Sequence, residues 1–151
     1  MTKNAPVQTL LDLSQLRLDQ ATRTLGSLIS GEQAAADRHK VLVDYRAEYH
    51  ARFMVAAKNG IDRDSWRNYQ AFLDRLDASI TLAEEAVKQS RQRKSVGQQE
   101  WLGKKERLRA FDTLAHRQQV REQTAAHCVE QKSQDEMAAN KQGARDGEAS
   151  R

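Results

Sequence analysis

Four histidines and one cysteine are the residues that could hold a metal ion or carry nucleophilic chemistry: His39, His50, His116, His127 and Cys128. No two of the histidines stand four residues apart. No histidine and carboxylate set has the spacing of a zinc hydrolase. His127 and Cys128 are chain neighbours, which on a helix point about 100 degrees apart. A cysteine nucleophile would also need a third, orienting group inside a pocket. Glycine patterns that cradle phosphates or dinucleotides are absent. The sequence therefore offers no catalytic residue, no metal ligands and no cofactor site. It is read as a non-enzyme whose function lies in its surfaces.

Two surfaces stand out. Residues 88–109 hold Lys88, Arg91, Arg93, Lys94, Lys104, Lys105, Arg107 and Arg109 against Glu100 and Glu106, more positive than the whole chain at +4. Arg117 and Arg121 extend the run. Nucleic acid, an anionic membrane surface and an acidic protein surface could each take such a run, and a solvated helix face is the bland alternative. Few aromatics interleave with the charges, against a nucleic-acid reader. Ser90, Lys94 and Gly97 break the apolar face that a membrane-lying helix needs. The second surface is aromatic: Tyr45 and Tyr49, then Trp66, Tyr69 and Phe72. Tyr49, Trp66 and Tyr69 fall in seam positions and are expected in the core. Tyr45 and Phe72 fall beside the seam, either covering it or anchoring a partner.

What must position these surfaces follows from composition and spacing. Leu, Ile, Val and Phe make up 28 of 151 residues, few enough for disorder to be a serious reading. Ala, Glu, Lys, Leu and Arg make up 70, close to the share expected of a coiled coil. The longest apolar run, Phe53 to Ala57, is far below the roughly 18 residues needed to span a membrane. The N-terminus lacks the apolar core of a signal peptide, and a single cysteine fits a reducing compartment. Scarce β-branched and aromatic residues argue against a β fold.

Periodicity decides for helix. Steps of three and four give Leu11, Ser14, Leu18, Ala21, Leu25, Leu28, Glu32, Ala35, His39, Leu42, Arg46, Tyr49, Phe53 and Ala56. A second series runs from Trp66 and Tyr69 through Leu73, Leu76, Ile80, Ala83, Val87, Ser90, Lys94, Gly97, Trp101, Lys104 and Leu108 to Phe111. Ten of fourteen positions are apolar in each. Between them, Asn59-Gly60 signals a turn, Asp62 can cap the next helix, and Ile61 with Trp66 has staple spacing. Two seams around one short turn predict an all-α, long antiparallel two-helix coiled-coil hairpin.

With the turn near Ile61, residue i faces roughly residue 122 minus i, so Leu25 and Gly26 face Gly97, and Glu32 faces Ser90. Polar seam positions of this kind fix register at a cost in stability. His39 is read as such a position and not as a ligand. The expected boundaries are a single hairpin domain over 1–142, with a helix over about 6–57, a turn at 58–62 and a helix over about 63–140. The second helix overhangs the first, and 143–151 is expected to be a disordered tail. An arm of about 45 residues would be about 70 Å long at 1.5 Å per residue.

Three segments resemble the flagellar FliJ family: Val43-Asp44-Tyr45-Arg46-Ala47-Glu48-Tyr49 with Asn59-Gly60-Ile61; Trp66-Arg67-Asn68-Tyr69-Gln70-Ala71-Phe72-Leu73; and the stretch from Trp101-Leu102-Gly103-Lys104-Lys105 to Leu114. The resemblance covers nearly the whole chain to about residue 140. It implies a soluble component of the flagellar type III export apparatus, cytoplasmic and peripheral to the inner membrane at the flagellar base. Family members resemble the central stalk of rotary ATP synthases, insert into the export ATPase ring (FliI-type) and stimulate it. They also contact the cytoplasmic part of the export gate protein (FlhA-type), and some bind escort chaperones; nucleic acid is not among the partners. The gate-binding pattern maps onto Leu42, Tyr45, Tyr49, Phe72 and Leu76, while Arg38, Ser79 and Ala83 depart from it. The ATPase-binding end is expected at Leu11, Leu18, Leu25, Trp101, Lys104, Lys105, Arg107, Leu108 and Arg109. The alternative is a basic coiled coil that binds nucleic acid or a membrane surface.

Overall fold

Helix continuity here is a matter of punctuation. Nothing between Pro6 and Asn59 interrupts a helix, and nothing after Asp62 does. The computed structural model describes residues 5–150, and they form two helices: α1, Ala5–Lys58 (54 residues), and α2, Arg63–Ala149 (87 residues). The helices pack against each other, and no strand occurs among the described residues. The chain is an all-α helical hairpin, as the paired seams predict. No helix among the described residues is long and apolar enough to cross a membrane.

The turn is built as its residues dictate. Asn59 and Gly60 donate their amides to the carbonyls of Ala56 and Ala57, both at 3.1 Å. Gly60 has φ of 87°, the left-handed geometry that closes a helix end and that a side chain disfavours. Asp62 then caps α2: its Oδ1 accepts the Ser65 amide at 3.3 Å, and its carbonyl accepts the Trp66 amide at 3.2 Å. The hydrogen bonds from Ser65 hold the Asp62 carboxyl below the usual carboxylate range. Asp64 adds a negative charge to the first turn of α2, where the helix dipole favours it.

Contacts divide the chain into two compact units, Arg17–Lys104 and Met1–Leu16 with Lys105–Arg151. The first contains the turn and most of the seam. Its buried apolar residues are Tyr69, Leu76, Ala83 and Val87, all on α2 and all in the expected seam. Leu18, Ala21, Leu25, Leu28, Ala35, Leu42, Tyr49 and Phe53 of α1 are half-buried. Among the described residues no large side chain is fully buried, because two helices alone cannot enclose one. Register is explicit at Gly97, where a Cβ would come within 2.5 Å of Leu28 Cδ1 and 3.7 Å of Leu25 Cδ1. Gly97 weakens its helix, and that close approach is what it permits.

Polar seam residues pair across the helices. Glu32 lies 2.5 Å from Lys94 Nζ and 3.6 Å from Arg91 Nε. Arg46 donates to both carboxylate oxygens of Asp77, which raises the Arg46 pKa further. His39 Nε2 lies 3.5 Å from Glu84 Oε1, so His39 is a seam residue with a polar neighbour.

In the other unit, Val7, Leu11, Leu108, Phe111, Ala115 and Gln118 are half-buried and Ser14 is buried. Val7 and Gln8 line one small hollow with Ala115 and Gln119. Every described residue from Arg121 onward is exposed. Yet the expected tail is helical: α2 continues past 140, through Gly143 and Gly147, to Ala149, and the Ser150 hydroxyl donates to the Asp146 carbonyl at 3.1 Å. Extending a formed helix gains a backbone hydrogen bond for each residue fixed, which low apolar content does not prevent. Residues 1–4 and 151 lie outside the described residues.

Two outcomes follow. Gly60→Ala forces a side chain into left-handed geometry and is expected to cost about 1–2 kcal/mol in urea unfolding; an unchanged midpoint would show that the turn is not held as described. Lys94, aided by Arg91, holds the Glu32 carboxyl below its ordinary range. Its stabilisation is therefore present above the ordinary carboxylate pKa and is lost as pH falls through the lowered folded value. The stability gap between the parent chain and Glu32→Gln should be widest near neutral pH and close in acid. A gap independent of pH would mean that the ion pairs do not stabilise the seam.

Candidate interaction surfaces

The aromatic cluster forms because both helices place rings near the turn at seam or flanking positions. Phe53 stacks on Tyr69 with centroids 3.5 Å apart and planes 9° apart. Tyr49 lies 4.5 Å from Phe72 and 5.6 Å from Tyr69. Tyr45 sets its edge to Phe72 at 6.2 Å. Such offset and edge-on pairs are favourable beyond the area they bury. The Tyr69 hydroxyl, on a residue only 4% exposed, is paired with His50 Nδ1.

The five candidate gate residues divide by depth. Leu76 is buried, Leu42, Tyr49 and Phe72 are half-buried, and Tyr45 is 45% exposed. Tyr45 is the most accessible of them, and its ring meets those of Tyr49 and Phe72. Phe72 packs on Tyr49, as the covering reading expects, and Tyr45 is left exposed. Trp66, expected in the core, is 48% exposed. Its seam partner position is Ala56, itself exposed and too small to cover an indole. Its ring meets Phe53 at 5.4 Å.

Among the residues assigned to the ATPase-binding end, Leu18, Leu25, Trp101 and Lys104 belong to the unit that holds the turn, and all four are half-buried. Trp101 Nε1 donates to Thr22 Oγ1 at 2.9 Å, and the Thr22 hydroxyl donates to the Leu18 carbonyl at 2.8 Å. That link fixes the indole against α1. In the other unit Leu11, Lys105 and Leu108 are half-buried, while Arg107 and Arg109 are exposed. The basic run is smaller than its count. Lys94, in the seam, and Arg91, from an exposed position, both lie against Glu32, so part of the run's charge is matched within the chain.

Sequence reading missed the cross-helix contacts of Glu32 with Arg91 and Lys94, His39 with Glu84, Arg46 with Asp77, His50 with Tyr69 and Thr22 with Trp101. A search for complementary side chains at positions summing to near 122 could have found them. Among the described residues no group of three or more His, Cys, Asp or Glu could hold a metal ion, and Cys128 is exposed and unbridged.

A family model described as "Flagellar FliJ protein" matches residues 3–146. A flagellar FliJ protein of Salmonella typhi is 34% identical over 138 residues, which cover 91% of this chain and 94% of the relative. Another, from Escherichia coli (strain K12), is 33% identical over the same shares. Neither the motifs nor the matched length leaves the resemblance to heptad spacing alone, and the chain belongs to the flagellar FliJ family.

Proposed function

We propose that this protein is a stalk-like adaptor of the flagellar type III export apparatus, which binds and stimulates the export ATPase ring and links it to the export gate. The two units act as parts of one hairpin domain. Leu11, Leu18, Leu25, Trp101, Lys104, Lys105, Arg107, Leu108 and Arg109 meet the ring, and Leu42, Tyr45, Tyr49, Phe72 and Leu76 form the gate patch. The protein works in the cytoplasm, held at the inner membrane by its partners, and also receives escort chaperones.

One observation carries the reading most directly. In a chain that is a flagellar FliJ protein by family, Tyr45 presents an exposed ring braced edge-on against Phe72. A half-exposed aromatic held rigid by its neighbours can anchor a partner with little loss of side-chain freedom. The exposed Arg107 and Arg109 suit an acidic partner surface, where charge steers association. The rival reading, a nucleic-acid or membrane-surface binder, draws on the same basic run, but the capture of Arg91 and Lys94 by Glu32 weakens it.

Tyr45→Ala with Phe72→Ala should reduce binding to the gate's cytoplasmic domain by about tenfold or more while circular dichroism stays unchanged. Loss of helicity in that variant would make the pair structural. Replacing Lys104, Lys105, Arg107 and Arg109 with alanine should lower ATPase stimulation, with the deficit shrinking as salt rises. Full stimulation by the four-alanine variant would refute the basic contact, and salt-dependent retention of DNA without ATPase co-purification would favour the rival.

A further inference from the structure

The seam of the unit Arg17–Lys104 has two rows, and they differ in size. One row carries Leu18, Leu25, Glu32 and His39 on α1 and Val87, Lys94 and Trp101 on α2. The cross-helix pairs of Glu32, His39 and Trp101 lie with it. The other row is small over the same stretch: Ala21 and Ala35 on α1, Ala83, Ser90 and Gly97 on α2. Leu28 is the large exception, and it seats on Gly97.

The small row leaves a groove. Three hollows of ≈ 400, ≈ 550 and ≈ 300 Å³ run along it. They are contiguous: Leu28 and Arg93 line the first two, and Gly97 and Glu100 line the last two. Gly31 lines the groove at a position where a Cβ would meet nothing within 4 Å. Glycine weakens a helix interior, and no neighbour within the chain explains it there. Val96, 51% exposed, adds apolar surface to the same groove.

The charges around the groove have one predominant sign. Arg17, Arg38, Arg93 and Lys104 line it, against Glu100 alone. No carboxylate among the described residues pairs with any of the four. We infer that this groove is a docking site for an amphipathic helix of a partner protein, with an apolar stripe and acidic flanks, lying against both helices as the third strand of a coiled coil. Helix-in-groove binding reads apolar anchors at heptad spacing, and flanking charges select the partner. A second copy of this chain is a poor occupant, since its own groove carries the same sign. Its exposed residues 121–149 offer only Val129 and Met137 as large apolar side chains.

The test uses the full chain and a designed peptide of about three heptads with Leu at the seam positions and Glu at the flanking positions. Its twin carries Lys at the flanks. Fluorescence anisotropy at physiological salt should show the Glu peptide binding at least about tenfold tighter than the Lys peptide. Arg38→Glu with Arg93→Glu should remove that preference. Lys40→Glu with Lys88→Glu, the same charge change off the groove, should keep it. Gly31→Leu should block binding with every charge intact; if circular dichroism shows that it unfolds, the paired reversals decide. Equal binding of the two peptides, or equal loss in both double reversals, would overturn the proposal. So would self-association of the chain that Gly31→Leu abolishes, which would make the occupant a second copy.

Discussion

Two helices laid side by side cannot surround a side chain, and this limit shapes the whole molecule. The pairing depends on a strip only two residues wide on each helix. Phe53 stacks closely on Tyr69, which among the described residues is the most buried apolar one. From there the strip continues through Leu76, Ala83 and Val87. A fully buried Leu or Val contributes roughly 1.5–3 kcal/mol and an Ala methyl under about 1 kcal/mol, with less where water still reaches the side chain. Stability of this kind is additive along the helices, and a polar seam residue weakens only its own stretch.

Polar residues in the strip make sense on those terms. Glu32 and Lys94 would each be costly as a lone charge, and paired they cost little while disfavouring shifted registers. Arg46 with Asp77 and Trp101 with Thr22 add directional links on exposed edges. These links absorb polar groups that would otherwise be available to partners, so the reactive surface is what remains: the Tyr45 and Phe72 edge, the unpaired arginines and lysines, and the groove beside Gly97.

Much of this was legible in the sequence. Thirteen of fourteen expected seam positions on each helix are buried or half-buried, Ala56 and Trp66 being the exceptions. Spacing sufficed because a paired helix has no other way to place apolar residues. The Asn59-Gly60 turn and the Asp62 cap were legible because each answers a local backbone need. Trp66 was misjudged because periodicity ignores the size of what lies opposite. The helix from 143 to 149 was missed because composition reports burial, whereas helix extension needs only backbone bonds. Spacing also separated Leu76, in the seam and buried, from Tyr45, beside the seam and exposed. Glu32 was recognised as a seam position, but its partners depend on how far Arg91 and Lys94 reach.

Residue-resolved hydrogen exchange addresses the central claim, that the pairing strip beside the turn is the stable frame on which the surfaces are carried. Amides of Tyr69 to Val87 and of Ala35 to Phe53 should exchange slowest, at a rate set by global unfolding. Those of 121–149, helical but exposed throughout, should exchange many times faster. Protection that is uniform along α2, or strongest in 121–149, would contradict the account.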